Sequence, residues 1–158
     1  MLTGLAHTAL CVPDVEAATR WYAETLGFTV LSPPYLMEGD AIERDMGELV
    51  DHPRLKAAIL GFPESGDRVI EIIEYPDVDG HPRRADASVT DHGLTHIGVL
   101  CDEIEATRHE LEARGVTFLT SGIASVARVR TTWCVDPWGT VLILVEKRDP
   151  TKPYYAQY

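Results

Sequence analysis

The 158-residue chain is short of cysteine, of positive charge and of long apolar runs, and each shortage excludes something. Its three cysteines, Cys11, Cys101 and Cys134, are odd in number and form no Cys-x-x-Cys pair. That argues against a disulfide framework and for a reducing, cytoplasmic compartment. Lys and Arg number 14 against 25 Asp and Glu, a net charge of −11. An acidic surface of this kind repels nucleic acid and anionic membranes, so neither is expected as a partner. No apolar run approaches the ~20 residues that span a bilayer. The first residues lack a basic region followed by an apolar stretch, so no secretion signal is expected. What is present is a composition 45% apolar, enough for a full core, and a length that fits one domain of two half-modules over 1–158.

The main internal signal is a repeat. His7-Thr-Ala-Leu-Cys-Val-Pro-Asp14 returns as His96-Ile-Gly-Val-Leu-Cys-Asp102, 89 residues later. Each copy starts at a His on a short apolar run and ends at an Asp suited to capping a helix. A helical segment follows, Val15 to Leu26 or Glu103 to Arg114, and stops at Gly27 or Gly115. A second apolar run comes next, Phe28 to Leu31 or Val116 to Leu119. A repeat of this length dictates architecture: strand, helix, then further strands, twice over.

In order, Leu5 to Val12 reads as a buried strand, and Val15, Ala18, Tyr22 and Leu26 form the core face of the first helix. Residues 32–54 have no counterpart in the second half. Inside them Ile42, Met46, Leu49 and Val50 lie at helical spacing, with Asp40 and Glu43 spaced as a capping box. This insertion is either a surface decoration or a lid. Leu55 to Phe62 and Arg68 to Tyr75 are two strands. In the second of them Val69, Glu71, Ile73 and Tyr75 share one face, and Ile70, Ile72 and Glu74 the other. Module 1 thus covers about 5–76, followed by a linker at 77–92 that holds the solvated His81 and His92. Module 2 covers about 93–146. It has a strand from Leu94 to Cys101 and a helix with Ile104, Thr107, Leu111 and Arg114 on one side. A long strand from Ser125 to Val135, an Asp136-Pro-Trp-Gly139 turn and a last strand, Thr140 to Glu146, complete it. The tail, 147–158, carries Tyr154, Tyr155 and Tyr158 and is expected to pack over a surface.

These elements make two βαβββ units, an α+β fold, and the sequence here resembles the vicinal oxygen chelate superfamily of glyoxalases, bleomycin-resistance proteins and extradiol dioxygenases. The carrying motifs are His7-x-x-Leu-x-Val-x-Asp14, Trp21-Tyr22-x-x-x-Leu26-Gly27-Phe28, Ile70-Glu71-Ile72, His96-Ile-x-Val, Ala113-Arg-Gly-Val116 and Asp136-Pro-Trp-Gly139. The resemblance implies two paired modules forming an open eight-stranded cup with helices outside. It also implies one divalent ion (Zn, Fe, Ni, Co or Mn) held by His7, Glu71 and His96. Imidazole and carboxylate suit such ions. The fourth ligand of the family, a Glu four residues after the turn Gly, is here Ile143. Glu146 lies three residues further on and, by strand alternation, points to the opposite face; it is the alternative fourth ligand only if a bulge swings it inward.

Three departures narrow the reaction that the resemblance implies. Glyoxalase I typically carries an Arg four residues after its first His, where this chain has Cys11. Bacterial glyoxalases tend to have Asn where this chain has Tyr75. Both speak against glutathione. Methylmalonyl-CoA epimerases use a Glu on the third strand, but Lys56 to Phe62 has no acid.

The function expected from this resemblance is metal-dependent proton abstraction beside a carbonyl of a small oxygenated substrate, a lyase or isomerase reaction whose base is either Glu71, once it leaves the metal, or a metal-bound hydroxide. A ring-cleaving dioxygenase of the extradiol type is one alternative. A metal-free binding protein, with His7 and His96 as remnants, is the other. Tyr75 and Arg130 are the candidate substrate-binding residues, Arg130 either holding a substrate carboxylate or pairing with a surface acid. Cys11 shares the His7 face and is expected in the core rather than as a nucleophile. A homodimer is expected, since tail tyrosines are of a type enriched at interfaces.

Overall fold

The computed structural model describes residues 1–66 and 68–157, leaving aside the side chain of Ser65. Tyr158 of the expected tail surface therefore lies outside the described residues. The chain divides into two compact units, Met1–His81 and a second that opens at Pro82. No helix among the described residues is long and apolar enough to cross a membrane.

The first unit contains β1 (His7–Cys11), α1 (Val15–Leu26), β2 (Thr29–Met37), α2 (Asp40–Met46), β3 (Leu55–Gly61) and β4 (Val69–Glu74). Its sheet has the order β1-β4-β3-β2, with β1 parallel to β4 and the other pairs antiparallel. Helix α1 begins where Asp14 Oδ1 accepts the Ala17 N–H at 2.8 Å, a cap worth ~1 kcal/mol. It ends at Gly27, whose φ of 77° is one that a side chain disfavours. Its Val15, Ala18, Thr19 and Tyr22 are buried, as are Leu10, Leu60, Ile70 and Ile72 of the sheet. Tyr22 stands edge-on to Trp21 and Phe28, with ring centroids 5.1 and 5.6 Å away.

The expected insertion at 32–54 begins differently from its sequence reading. Strand β2 runs on through Pro33 and Pro34 to Met37. Proline donates no ladder hydrogen bond, but β2 is an edge strand, and its register slips between Val30 and Ser32 and again between Ser32 and Tyr35. Helix α2 is short and buries none of its residues, and Leu49 beyond it is 81% exposed. Its N-cap is Gly39 with no side-chain hydrogen bond, so the Asp40–Glu43 capping box does not form.

The second unit contains β5 (Ile97–Cys101), α3 (Ile104–Ala113), β6 (Thr117–Phe118), β7 (Ala124–Val126), β8 (Val129–Val135) and β9 (Val141–Lys147). Its order is β5-β9-β8-β6, with β7 also paired to β8. The long strand expected from Ser125 to Val135 is broken. Ala127 and Arg128 take positive φ, 47° and 63°, and turn β7 back onto β8. That break gives the second sheet five strands instead of four. Ile104 and Leu111 of α3 are buried, but Arg114, expected beside them, is exposed. Arg108 occupies that side of the helix instead. Its guanidinium donates to Thr132 Oγ1 at 2.6 Å and lies 4.3 Å from the Phe118 ring centroid. The Asp136 turn forms as its sequence predicts: Asp136 Oδ1 accepts the N–H of Trp138 and of Thr140. The tail closes on itself, since buried Gln157 donates to the carbonyl of Asp149 at 2.8 Å and accepts its N–H at 3.0 Å. Tyr154 and Tyr155 remain exposed.

Candidate functional site

In the first sheet one face is filled by Leu10, Ile70 and Ile72, which are buried, and the other is open. Alternation puts His7, Ala9 and Cys11 of β1 and Val69, Glu71 and Ile73 of β4 on the open face. The parallel register sets Ala9 level with Glu71 and Cys11 level with Ile73. His7 Nε2 comes 3.2 Å from Glu71 Oε2, with the carboxylate 20% exposed and the imidazole 49%. Tyr75 follows at the end of the same row. Burial raises its phenol above its ordinary value, with the charges of Cys11 and Glu71 next in effect. Cys11, expected in the core, is exposed on this face.

The second sheet's face that starts from the same positions carries different chemistry and is open only in part: Gly98 and Leu100 are exposed and Ile143 and Trp133 half-buried, while Val129, Thr131, Val141 and Val145 on it are buried. His96 precedes β5, with Gly98 and Leu100 following on its side of the strand. Gly98 is level with Ile143 of β9, and Ile143 is level with Trp133 of β8. The β9 ladder is unbroken on both sides from Val141 to Lys147, apart from its ends, so no bulge swings Glu146 to the Ile143 face. Ile143 is thus the counterpart of Glu71. His96 turns to its neighbours: Nδ1 is hydrogen-bonded to Thr95 Oγ1, and the ring meets Trp133 edge-on at 4.7 Å.

Glu146 and Arg130 lie on the helix-covered face, where they form a clamp that the two halves share. Glu146 Oε2 accepts the N–H of Ile104, the first residue of α3, at 2.7 Å. Arg130 lies 3.3 Å from Glu146 and also pairs with Glu105 in the first turn of α3. In the first unit Glu74 Oε2 accepts the Val15 N–H at 2.9 Å, and Lys56 bridges Glu74, at 3.9 Å, and Glu16, at 3.1 Å. A helix start leaves N–H groups without helical partners and carries partial positive charge, so a carboxylate there is doubly favoured. Asp14, Glu16 and Glu74 bring carboxylate oxygens within 4.8 Å of one another, but Lys56 is the cation among them. Sequence reading missed this clamp. Its trace was Glu74 and Glu146, each three residues beyond the Glu71 and Ile143 positions, opposite Lys56 and Arg130.

Comparison with known proteins places the chain in a family. A model of the Glyoxalase/Bleomycin resistance protein/Dioxygenase superfamily matches residues 4–143. The chain belongs to this superfamily. It is 27% identical to the uncharacterized protein YaeR of Escherichia coli (strain K12) over 141 residues, 89% of this chain and 94% of YaeR. Among solved structures it resembles a glyoxalase family protein from Bacillus cereus, with a TM-score of 0.80 at 16% identity, over 94% of this chain and 97% of that one. It also resembles the trypanothione-dependent glyoxalase I of Leishmania major, with a TM-score of 0.64 at 18% identity, over 93% and 88% of the two chains. At these identities the likeness to solved structures is one of fold.

Among the described residues the one trio of His, Cys, Asp or Glu whose ligand atoms all lie within 4.8 Å of one another is Asp14, Glu16 and Glu74, so the structure brings His7 and Glu71 together only as a pair. His7 and Glu71 offer an imidazole nitrogen and a carboxylate oxygen on one open face, within reach of each other. His96 stands at the repeated His position. Ile143 offers no donor, and Glu146 is engaged on the other face. His81 and His92 are exposed, as their loop composition predicts.

Proposed function

We propose that this chain is a metal-dependent lyase or isomerase of the glyoxalase type that removes a proton next to a carbonyl of a small oxygenated substrate. His7, Glu71 and His96 would hold one divalent ion, Zn, Fe, Ni, Co or Mn. The observation that carries the proposal is the His7–Glu71 pair, 3.2 Å apart on the open sheet face, where the family resemblance implies metal ligands. When bound, such an ion supplies Lewis-acid stabilisation of negative charge on substrate oxygens.

Glu71 is the proposed base. It takes the proton from carbon and returns it, a role that requires its carboxylate to leave its other partners when substrate binds. Tyr75 donates a hydrogen bond to a substrate oxygen, its phenol being protonated at neutral pH and raised further by burial. Arg130 has no part in this proposal, since its guanidinium is committed to Glu105 and Glu146.

The test is metal content. The wild-type protein should carry one ion per chain, and His7→Ala and His96→Ala should each lose it while keeping the wild-type circular dichroism. A wild type that takes up no ion on reconstitution would overturn the proposal in favour of metal-free binding. A second reading, an extradiol-type dioxygenase, is favoured by the donor count of two His and one carboxylate with positions left open. Oxygen uptake with catechols by the Fe(II)-loaded protein decides between the two. We also propose a cytoplasmic homodimer, each chain a single domain of two modules. A monomer by light scattering at micromolar concentration would remove the dimer.

A further inference from the structure

We propose that the partly open face of the second sheet around Trp133 is a subsite for a flat apolar group, an aromatic ring. Four observations in that sheet support it. Ile143 replaces the carboxylate of the first half, so the row Gly98–Ile143–Trp133 carries no charge. Gly98 leaves a shallow bay in the floor: a Cβ added there meets only Ile143 Cγ2, at 3.8 Å. Leu100, on the same side of β5, is 51% exposed and forms an apolar rim. Finally, Trp133 already holds one flat ring, with the His96 imidazole 4.7 Å away at 71°. That contact fixes the indole, so that a second ring meets a preorganised wall.

In the first sheet the corresponding places are Ala9, Glu71 and Ile59, and the row is charged. The second half thus offers an aromatic and aliphatic surface where the first offers ligands. Aromatic side chains prefer flat partners in edge or offset contact and reward them beyond the area buried. That the ring belongs to the substrate rests on the proposed function. That a ring binds here does not, since none of these groups needs the ion.

The test uses 2-naphthol, neutral and flat at pH 7, against its saturated counterpart decahydro-2-naphthol. The reporters are the indole N–H signals of Trp21, Trp133 and Trp138 in ¹⁵N-labelled protein, assigned by single Trp→Phe variants. The expected result is a saturable shift of the Trp133 signal with 2-naphthol, and at least about fivefold weaker binding of the saturated alcohol. Trp133→Leu should weaken 2-naphthol binding by about tenfold. Gly98→Val, which fills the bay and leaves the indole in place, should weaken it comparably, and it covers the case in which Trp133→Leu does not fold. A shift confined to Trp21 or Trp138, no saturable shift at all, equal binding of the two alcohols, or unchanged binding by folded Gly98→Val would each overturn the proposal. Metal content of the same samples separates the two claims: ring binding without metal sinks only the proposed function, and metal without ring binding sinks only this subsite.

Discussion

The two halves share a frame and differ in what hangs on it. Helices α1 and α3 each start against a strand carboxylate, Glu74 or Glu146, and each carboxylate is paired with a strand cation, Lys56 or Arg130. On the opposite faces His7 meets Glu71, whereas His96 meets Trp133, and Ile143 stands at the counterpart of Glu71. The difference follows from physical constraint. A helix start has N–H groups to satisfy wherever it occurs, so its partner persists in both copies. An open strand face has no such obligation and is free to diverge. Function is therefore sought on the faces where the copies differ.

The largest expected effect comes from making the halves alike in either direction. Glu71→Gln removes the one carboxylate of the proposed site, and metal affinity should fall by at least ~10–100-fold, the range seen for changes only adjacent to ligands. Ile143→Glu restores the missing carboxylate and should tighten binding by about tenfold on the same scale. Competition titration with a chromophoric chelator measures both. Unchanged affinity in Glu71→Gln would remove Glu71 from the ligand set.

How far this contrast was legible in the sequence depended on which forces were local. The His7 and His96 repeat, the Gly27 stop and the Asp136 turn were legible because each rests on neighbouring residues. The place of Ile143 followed from strict alternation after Gly139, and the unbroken β9 ladder bears that alternation out. The clamp was not legible, because Lys56–Glu74 and Arg130–Glu146 are cross-strand pairs. The run of β2 through Pro33 and Pro34 was not legible either. A double proline reads as a strand end, and only its place at the sheet edge permits it.

The thiols offer a second contrast. Burial raises the thiol of Cys11 in the first half, although the residue is exposed, and in the second half it pushes the Cys101 and Cys134 thiols up to about 11. A thiol whose folded pKa is raised contributes stability that is fully present below its unfolded value. That stability is lost as pH rises from there through the folded value. Between pH 9 and 11 the protein should therefore lose stability, by on the order of 2 kcal/mol for the fully buried Cys134. Cys134→Ala should flatten the slope of urea-unfolding free energy against pH in that window. Parallel slopes for the variant and the wild type would show that Cys134 does not contribute.

The clamp predicts an effect on stability, where Glu71 predicts one on metal affinity. Glu146→Gln and Glu74→Gln each remove the charge beside a helix start while keeping an acceptor oxygen. Each should lower stability by about 1 kcal/mol and leave metal affinity unchanged. A loss of metal in Glu146→Gln would place that carboxylate on the open face and undo the register of β9.

The smallest effect concerns the break that only the second half has. Ala127 and Arg128 both take positive φ in the two-residue turn between β7 and β8, where Val126 pairs with Val129. Such a turn matches the twist of a hairpin but favours Asn-Gly, because a Cβ in the left-handed region crowds the backbone. Nothing from Ser125 to Val135 is Gly, Pro or Asn, which is why the stretch reads as one strand. Replacing the pair by Ala127→Asn and Arg128→Gly should relieve the crowding. Part of the gain is lost again, because glycine has more freedom to lose on folding. The net expectation is a stability increase of at most about 1 kcal/mol, read as a rise of ~2–4 °C in melting temperature for a chain of this size. A fall in melting temperature would mean that the turn at 127–128 does not hold its positive φ, and that β7 and β8 join as the single strand that their alternation implies.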